Sequence, residues 1–313
     1  MQGIEIARQY FEQYGEPMLK KQFPEYVSKV AAGLIGAGSE CFGYDDEISR
    51  DHDFEPGFCL FLPGEDVIDR RTAFLMERAY AALPRSFMGL ERGLMSPVGG
   101  NRRGVIRLSD FLSEKTGLPD GMIAKDAWFS IQEQYLLEVT NGEVFLDESG
   151  ILGKVREHLS FFPRDVMLKK TAGHLLLGAQ SGPYNYERCL RHGEKGSAQM
   201  CLYEYCDHMI SVIFLLNGRY RPYYKWVFRA MRELPVLSTL CESFEFLLTT
   251  DNEDPTVPVK QQVLEEIQGK VIEELLEEDL SRASCTDLEK HAYSVNDRIG
   301  DPVIRNRHIL SAV

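Results

Sequence analysis

The sequence predicts an α+β protein, with a β-sheet domain and flanking helices over residues 1–155 and an all-helical domain over residues 156–313. Two observations carry this reading. Before Gly150, four short apolar runs bounded by turn residues read as strands: Ala31–Ala37, Asp53–Leu62, Val105–Leu108 and Glu143–Asp147. After Gly150, glycine-punctuated text gives way to long amphipathic helical patterns.

Taken in order, residues 1–30 are predicted helical. Ile4, Ala7, Tyr10 and Phe11 stand at helix spacing, and Pro24 opens a second short helix to Val30. Ala31–Ala37 is a buried strand. Asp53–Leu62 (DFEPGFCLFL) is a second strand, irregular at Pro56-Gly57. Asp66–Leu83 is a helix with Ala73, Phe74 and Ala81 on its apolar face. Pro84–Arg103 is glycine-rich and reads as one long loop over the edge of a site. Val105–Leu108 is a strand, Phe111–Thr116 a short helix and Ile131–Val139 another, closed by Asn141-Gly142 as a cap or turn. The Glu143–Asp147 strand follows. Helices are then predicted over Gly153–Phe161, Arg164–Gln180, Glu187–Arg191, Ser197–Leu216, Tyr223–Glu233, Val259–Leu280 and Thr286–Ile299. Asp251–Pro258 reads as a surface linker.

A chain of 313 residues has ample burial for a core, and its 44% hydrophobic and 27% charged residues are ordinary for a globular protein. The net charge of −13 argues against a general nucleic-acid binder, which normally carries a basic patch. Much of the acid falls late, in Glu265-Glu266, Glu273-Glu274 and Glu277-Glu278-Asp279, and reads as a solvated helix face. Seven cysteines without metal-ligand spacing read as reduced and structural. With no leader pattern and no long apolar run, the expected location is the cytoplasm, away from membranes.

The chemistry centres on Gly38-Ser39 and Asp51-His52-Asp53. In a strand, residues two apart share a face, so Asp51 and Asp53 project side by side. Paired carboxylates suit Mg²⁺, with Mn²⁺ as the alternative, because hard cations prefer oxygen ligands and often add substrate phosphates. Gly38 lets backbone approach a triphosphate, and the Ser39 hydroxyl adds a donor. Asp45, Asp46 and Glu47 read as turn and cap residues. Arg188 and Arg191, three apart on one helix face, are placed to meet a triphosphate or to form a salt-bridged surface. Lys225, in RYRPYYKW (Arg219–Trp226), could neutralise phosphate charge or pack among aromatics.

The Gly-Ser and Asp-x-Asp pattern resembles the DNA polymerase beta-like nucleotidyltransferase superfamily. The longer string GSECFGYDDEISRDHDF, with LLNGRYRPYYKW (Leu215–Trp226) later, resembles the bacterial DUF4037-type nucleotidyltransferase-like proteins. The resemblance implies a nucleotidyltransferase-type mixed β-sheet and a site in a cleft before the helical domain. It also implies ATP or another NTP as co-substrate, Gly38 and Ser39 on the phosphates and Asp51 and Asp53 on the metal. The superfamily favours an apolar residue where His52 stands, and His52 reads as structural. A third acid on a later strand is implied as well. Val105–Leu108 has none, which leaves Glu143 or Asp147. The implied reaction moves an NMP group to a hydroxyl of a small molecule and releases pyrophosphate. The competing readings are a protein-adenylylating enzyme and a catalytically silent nucleotide-binding or interaction module.

Overall fold

The computed structural model describes residues 2–48, 55–92 and 103–313. It forms two compact units: residues 1–123 with 135–160, and residues 124–134 with 161–313.

The first unit is α+β. Helices α1 (Gly3–Tyr10) and α2 (Glu16–Gln22) are joined through a π-helical turn at Phe11–Gly15. That turn needs Gly15, because a Cβ there would lie 2.5 Å from the Phe58 ring. Strand β1 (Ala31–Leu34) leads to the short helix α3 (Ser39–Phe42), which sequence periodicity did not reveal. Strand β2 (Cys59–Leu62) and helix α4 (Arg70–Ala81) follow. Of the expected Asp53–Leu62 strand, residues 53 and 54 lie outside the described residues, and 55–58 are irregular, in keeping with Pro56-Gly57. The described part of the expected 84–103 loop contains a small hairpin, β3 (Ser86–Phe87) with β4 (Leu90–Glu91). Strand β5 (Gly104–Arg107), helices α5 (Leu108–Thr116) and α6 (Glu133–Thr140), strand β6 (Glu143–Leu146) and helix α7 (Gly153–His158) complete the series.

The sheet is mixed, in the order β5-β2-β1-β6. β1 is antiparallel to both β2 and β6, and β2 is parallel to β5. Strand side chains alternate between faces. Leu60 and Leu62 therefore join Tyr10, Phe11, Leu19 and Met76 in one core, while Phe61 packs on Phe111 of α5, ring centroids 5.2 Å apart.

The second unit is helical. Its helices are α8 (Arg164–Ala179), α9 (Glu187–Arg191), α10 (Lys195–Leu216), α11 (Val227–Arg232), α12 (Cys241–Thr249), α13 (Val257–Glu277), α14 (Leu288–Asp297) and α15 (Pro302–Arg305). α8 packs against α10 and α14, and α10 is buried through Leu202, Tyr205, Met209 and Ile213. A wide turn at Gln180–Tyr186 joins α8 to α9. Gly182 is required in it, since a Cβ would lie 2.2 Å from the Tyr205 ring. Two buried lysines are held by neutral oxygens: Lys169 on Asn296 and the Arg305 and Arg307 carbonyls, Lys260 on Gln199, Asn252 and the Thr250 carbonyl. The acidic run of α13 is largely solvated, as its composition suggested, and Glu274, the half-buried member, is pushed up by burial and its acidic neighbours. All seven cysteines are free, and among the described residues no helix is long and apolar enough to cross a membrane.

Candidate functional site

The turn from β1 into α3 is built around two glycines. Gly36 has φ +116° and Gly38 φ +142°, both in the region that side-chain-bearing residues rarely adopt. Asn141, just after α6, holds this turn with both ends of its amide. Its Oδ1 accepts from the Gly36 N–H at 3.0 Å and its Nδ2 donates to the Gly36 carbonyl at 2.8 Å. The next residue works on the other flank: the Gly142 N–H donates to the Cys41 carbonyl at 2.9 Å. Arg156 in turn caps the end of α6, donating to the Val139, Thr140 and Asn141 carbonyls at 3.1, 2.9 and 2.7 Å. Those carbonyls have no partner within the helix, so the guanidinium fixes the segment that carries Asn141.

Beside the turn stands a buried ion pair. Arg103 Nη2 donates to Glu40 Oε1 at 2.9 Å, with the two side chains 7% and 10% exposed. The Glu40 carboxylate lies against Gly38, where a Cβ would meet both of its oxygens at 2.7 Å. The φ there favours glycine, and any side chain would displace the Glu40 carboxylate. The neighbouring thiols are inert: burial pushes Cys41 up, and pushes Cys59 up to about 11.

Strand direction gathers these parts at one end of the sheet. β1 runs out towards Gly36, β2 begins at Cys59 opposite Gly33, β5 begins at Gly104 opposite Cys59, and β6 begins at Glu143 opposite Leu34. Glu143 therefore stands at the end that carries the Gly36–Ser39 turn. Asp147 follows the far end of β6, roughly 13 Å away at strand rise. Their present partners differ too. Glu143 is ion-paired with Arg8 of α1. Asp147 accepts three backbone N–H groups, from Ile151, Leu152 and Gly153, at 2.9, 3.1 and 2.7 Å, and so caps the turn into α7.

Asp51, His52 and Asp53 lie outside the described residues. Among the described residues no group of three or more His, Cys, Asp or Glu is placed to hold a metal ion. The basic candidates belong to the second unit. Arg188, on α9, donates to the Tyr184 hydroxyl at 2.6 Å and lies over that ring. Arg191, on the same helix, is ion-paired with Glu187. Lys225 is exposed in a 3₁₀ turn at Tyr224–Trp226, its Nζ 5.0 Å from the Trp226 ring centroid.

Sequence reasoning missed Glu40, Arg103, Asn141 and Arg156. Asn141-Gly142 does carry a local turn signal, but its partner Gly36 lies 105 residues away. Nothing in the pattern of either segment announces that pairing.

Comparison with known proteins adds three findings. A search of curated proteins found no match. Among solved structures, the chain is similar to a nucleotidyltransferase-like protein from Exiguobacterium sibiricum 255-15, with TM-score 0.37 and 14% identity over 90% of each chain. The family profile described as "Domain of unknown function (DUF4037)" matches residues 128–227, about a third of the chain. Residues 128–227 are thus similar to that domain family.

Proposed function

We propose that this protein is a nucleotidyltransferase that moves an NMP group from ATP or another NTP to a hydroxyl of a small molecule, releasing pyrophosphate. The observation that carries the reading is the Gly36–Ser39 turn, which has positive φ at Gly36 and Gly38 and is clamped through Gly36 by Asn141 at the end of the sheet. A rigid glycine turn lets phosphate oxygens approach backbone closely and costs no reorganisation on binding. Gly38 and Ser39 form the phosphate seat in this reading. Asp51 and Asp53 hold Mg²⁺ or Mn²⁺, which when bound offsets triphosphate charge. Of the two later acids, Glu143 is the candidate base for the acceptor hydroxyl, because it starts β6 at the seat's end of the sheet. To serve, its carboxylate has to exchange Arg8 for the acceptor. Arg188, Arg191 and Lys225 are further candidate phosphate contacts.

A second reading is a catalytically silent nucleotide-binding module. It is favoured by the engagement of both later acids, Glu143 with Arg8 and Asp147 with backbone. Incubation with Mg²⁺, each α-labelled NTP and a cell extract, beside an Asp51→Ala/Asp53→Ala variant, separates the readings. Label on a metabolite with the wild type alone supports the proposal. Label on a protein supports the adenylylating alternative. NTP binding without label transfer supports the silent module and contradicts the proposal.

A further inference from the structure

We propose that Arg103 contacts the substrate's phosphates, the free edge of its guanidinium taking an anionic oxygen of a polyphosphate seated on the Gly36–Ser39 turn. The inference rests on the reading of that turn as a phosphate seat.

Arginine carries five N–H donors in a planar fork. In Arg103 the Nη2 side of the fork is spent on Glu40 Oε1, at 2.9 Å. The Nη1 side is buried and has no hydrogen-bond partner among the described residues. A buried donor left unpaired is costly, and native proteins rarely retain one.

The surroundings are shaped to lodge this side chain. A Cβ on Gly57 would lie 3.1 Å from Arg103 Cδ and 3.1 Å from the Tyr80 hydroxyl, so the irregularity at Pro56-Gly57 makes room for the arginine stem. The Tyr80 hydroxyl is itself committed to Phe58, accepting from its N–H at 3.0 Å and donating to its carbonyl at 2.8 Å. It does not relieve Nη1.

Placement names the ligand class. Arg103 immediately precedes β5, whose first residue pairs with Cys59 at the turn's end of the sheet. Its partner Glu40 is the carboxylate that lies against Gly38. One guanidinium thus binds the carboxylate that lies against Gly38 and keeps a second donor unpaired. A planar fork can bridge a carboxylate and a phosphate oxygen at once, which a lysine ammonium cannot match in geometry.

The test compares the affinity of the full chain for inorganic tripolyphosphate and for Mg²⁺-ATP among the wild type, Arg103→Gln, Arg103→Lys and Glu40→Gln. Thermal melting of each protein checks that it is folded. The Arg103 and Glu40 variants all disturb the same ion pair, so a purely structural role weakens binding in all of them alike. The expected result is asymmetric. Both Arg103 variants lose about tenfold or more in affinity, the value of a hydrogen bond to a charged group. Glu40→Gln keeps the wild-type affinity or exceeds it, because a competing anion is gone. Arg103→Lys, which keeps the charge, serves if Arg103→Gln does not fold. Equal losses in the Arg103 and Glu40 variants, or wild-type affinity in Arg103→Lys, overturn the inference and leave the phosphate seat standing. A wild type that binds neither ligand overturns the seat itself, and the inference with it.

Discussion

Asn141 and Gly36 are joined by two hydrogen bonds that use both ends of the asparagine amide, at 3.0 and 2.8 Å. The pairing ties the segment between α6 and β6 to the exit of β1. Asn141→Asp keeps the size but replaces the donor to the Gly36 carbonyl with a second acceptor. The expected loss is about 1–3 kcal/mol in urea unfolding, from an unsatisfied buried carbonyl facing a carboxylate. Nucleotide affinity should fall as well, because the turn loses its fixed shape. Unchanged stability and unchanged affinity together would remove Asn141 from the account.

The two glycines that meet this segment separate stability from binding. Gly142 has φ +62°, and a Cβ there would lie 2.0 Å from the Leu34 carbonyl oxygen. Gly142→Ala is expected to lower the melting temperature sharply, since backbone has to move. At Gly38 the clash is with the Glu40 carboxylate, which ends a side chain and can shift. Gly38→Ala is expected to fold, with a smaller loss of stability and a larger loss of nucleotide binding. Calorimetric melting and ATP titration of both variants test the split, and the reverse ranking contradicts it.

Glu143 and Asp147 should differ in kind. Asp147 receives three backbone N–H groups, so Asp147→Ala is expected to cost about 1–2 kcal/mol as a lost cap, with transfer retained in the folded fraction. Glu143→Gln is expected to leave the fold nearly intact, because its ion pair with Arg8 is substantially solvated. Transfer should drop about a hundredfold or more if Glu143 acts as general base. Chemical denaturation and turnover of the two variants, measured side by side, decide the matter.

In the second unit, His174 and His208 face each other with their Nδ1 atoms 3.0 Å apart. Burial holds both below the ordinary imidazole value. His208, Lys170 and Arg221 lower His174 further, while Asp207 and Glu204 oppose the shift at His208 and Arg221 adds to it. The folded chain therefore resists protonation that the unfolded chain accepts. Stability is fully present above about pH 6.5 and falls as pH drops below it, until the folded values are reached, by up to about 1.4 kcal/mol per pH unit per group. Urea unfolding between pH 8 and pH 5 should show this slope, reduced in His174→Gln. An identical slope in the variant would rule the pair out as its source.

Much of the fold was legible because it is written in local periodicity. The Ala31, Val105 and Glu143 strands and the α8, α10, α13 and α14 helices fall close to their expected ranges, since each buries one apolar stripe or run. The sequence reading missed α12 and α3: α3 is a single turn, too short to show a period, and its fold depends on the Gly36–Gly38 conformation. The candidate site divides the same way. Gly38 and Ser39 announce themselves as a motif. The residues that brace the flanks of their turn do not: Asn141 reaches Gly36 and Arg103 reaches Glu40 across separations of 105 and 63 residues, through contacts that exist only once the sheet has formed. Which of Glu143 and Asp147 stands at the turn's end of the sheet was likewise hidden, because both flank one strand and only strand pairing places its ends.

The most direct test of the central claim follows both ends of the nucleotide in one reaction. The wild type is supplied with Mg²⁺, a hydroxyl-bearing acceptor fraction from cell extract, and ATP labelled at its α- and γ-phosphates with distinguishable isotopes. The expected result is α-label on the acceptor and γ-label in pyrophosphate, both absent with Asp51→Ala/Asp53→Ala. γ-Label on the acceptor, or no movement of either label despite bound ATP, would contradict nucleotidyl transfer.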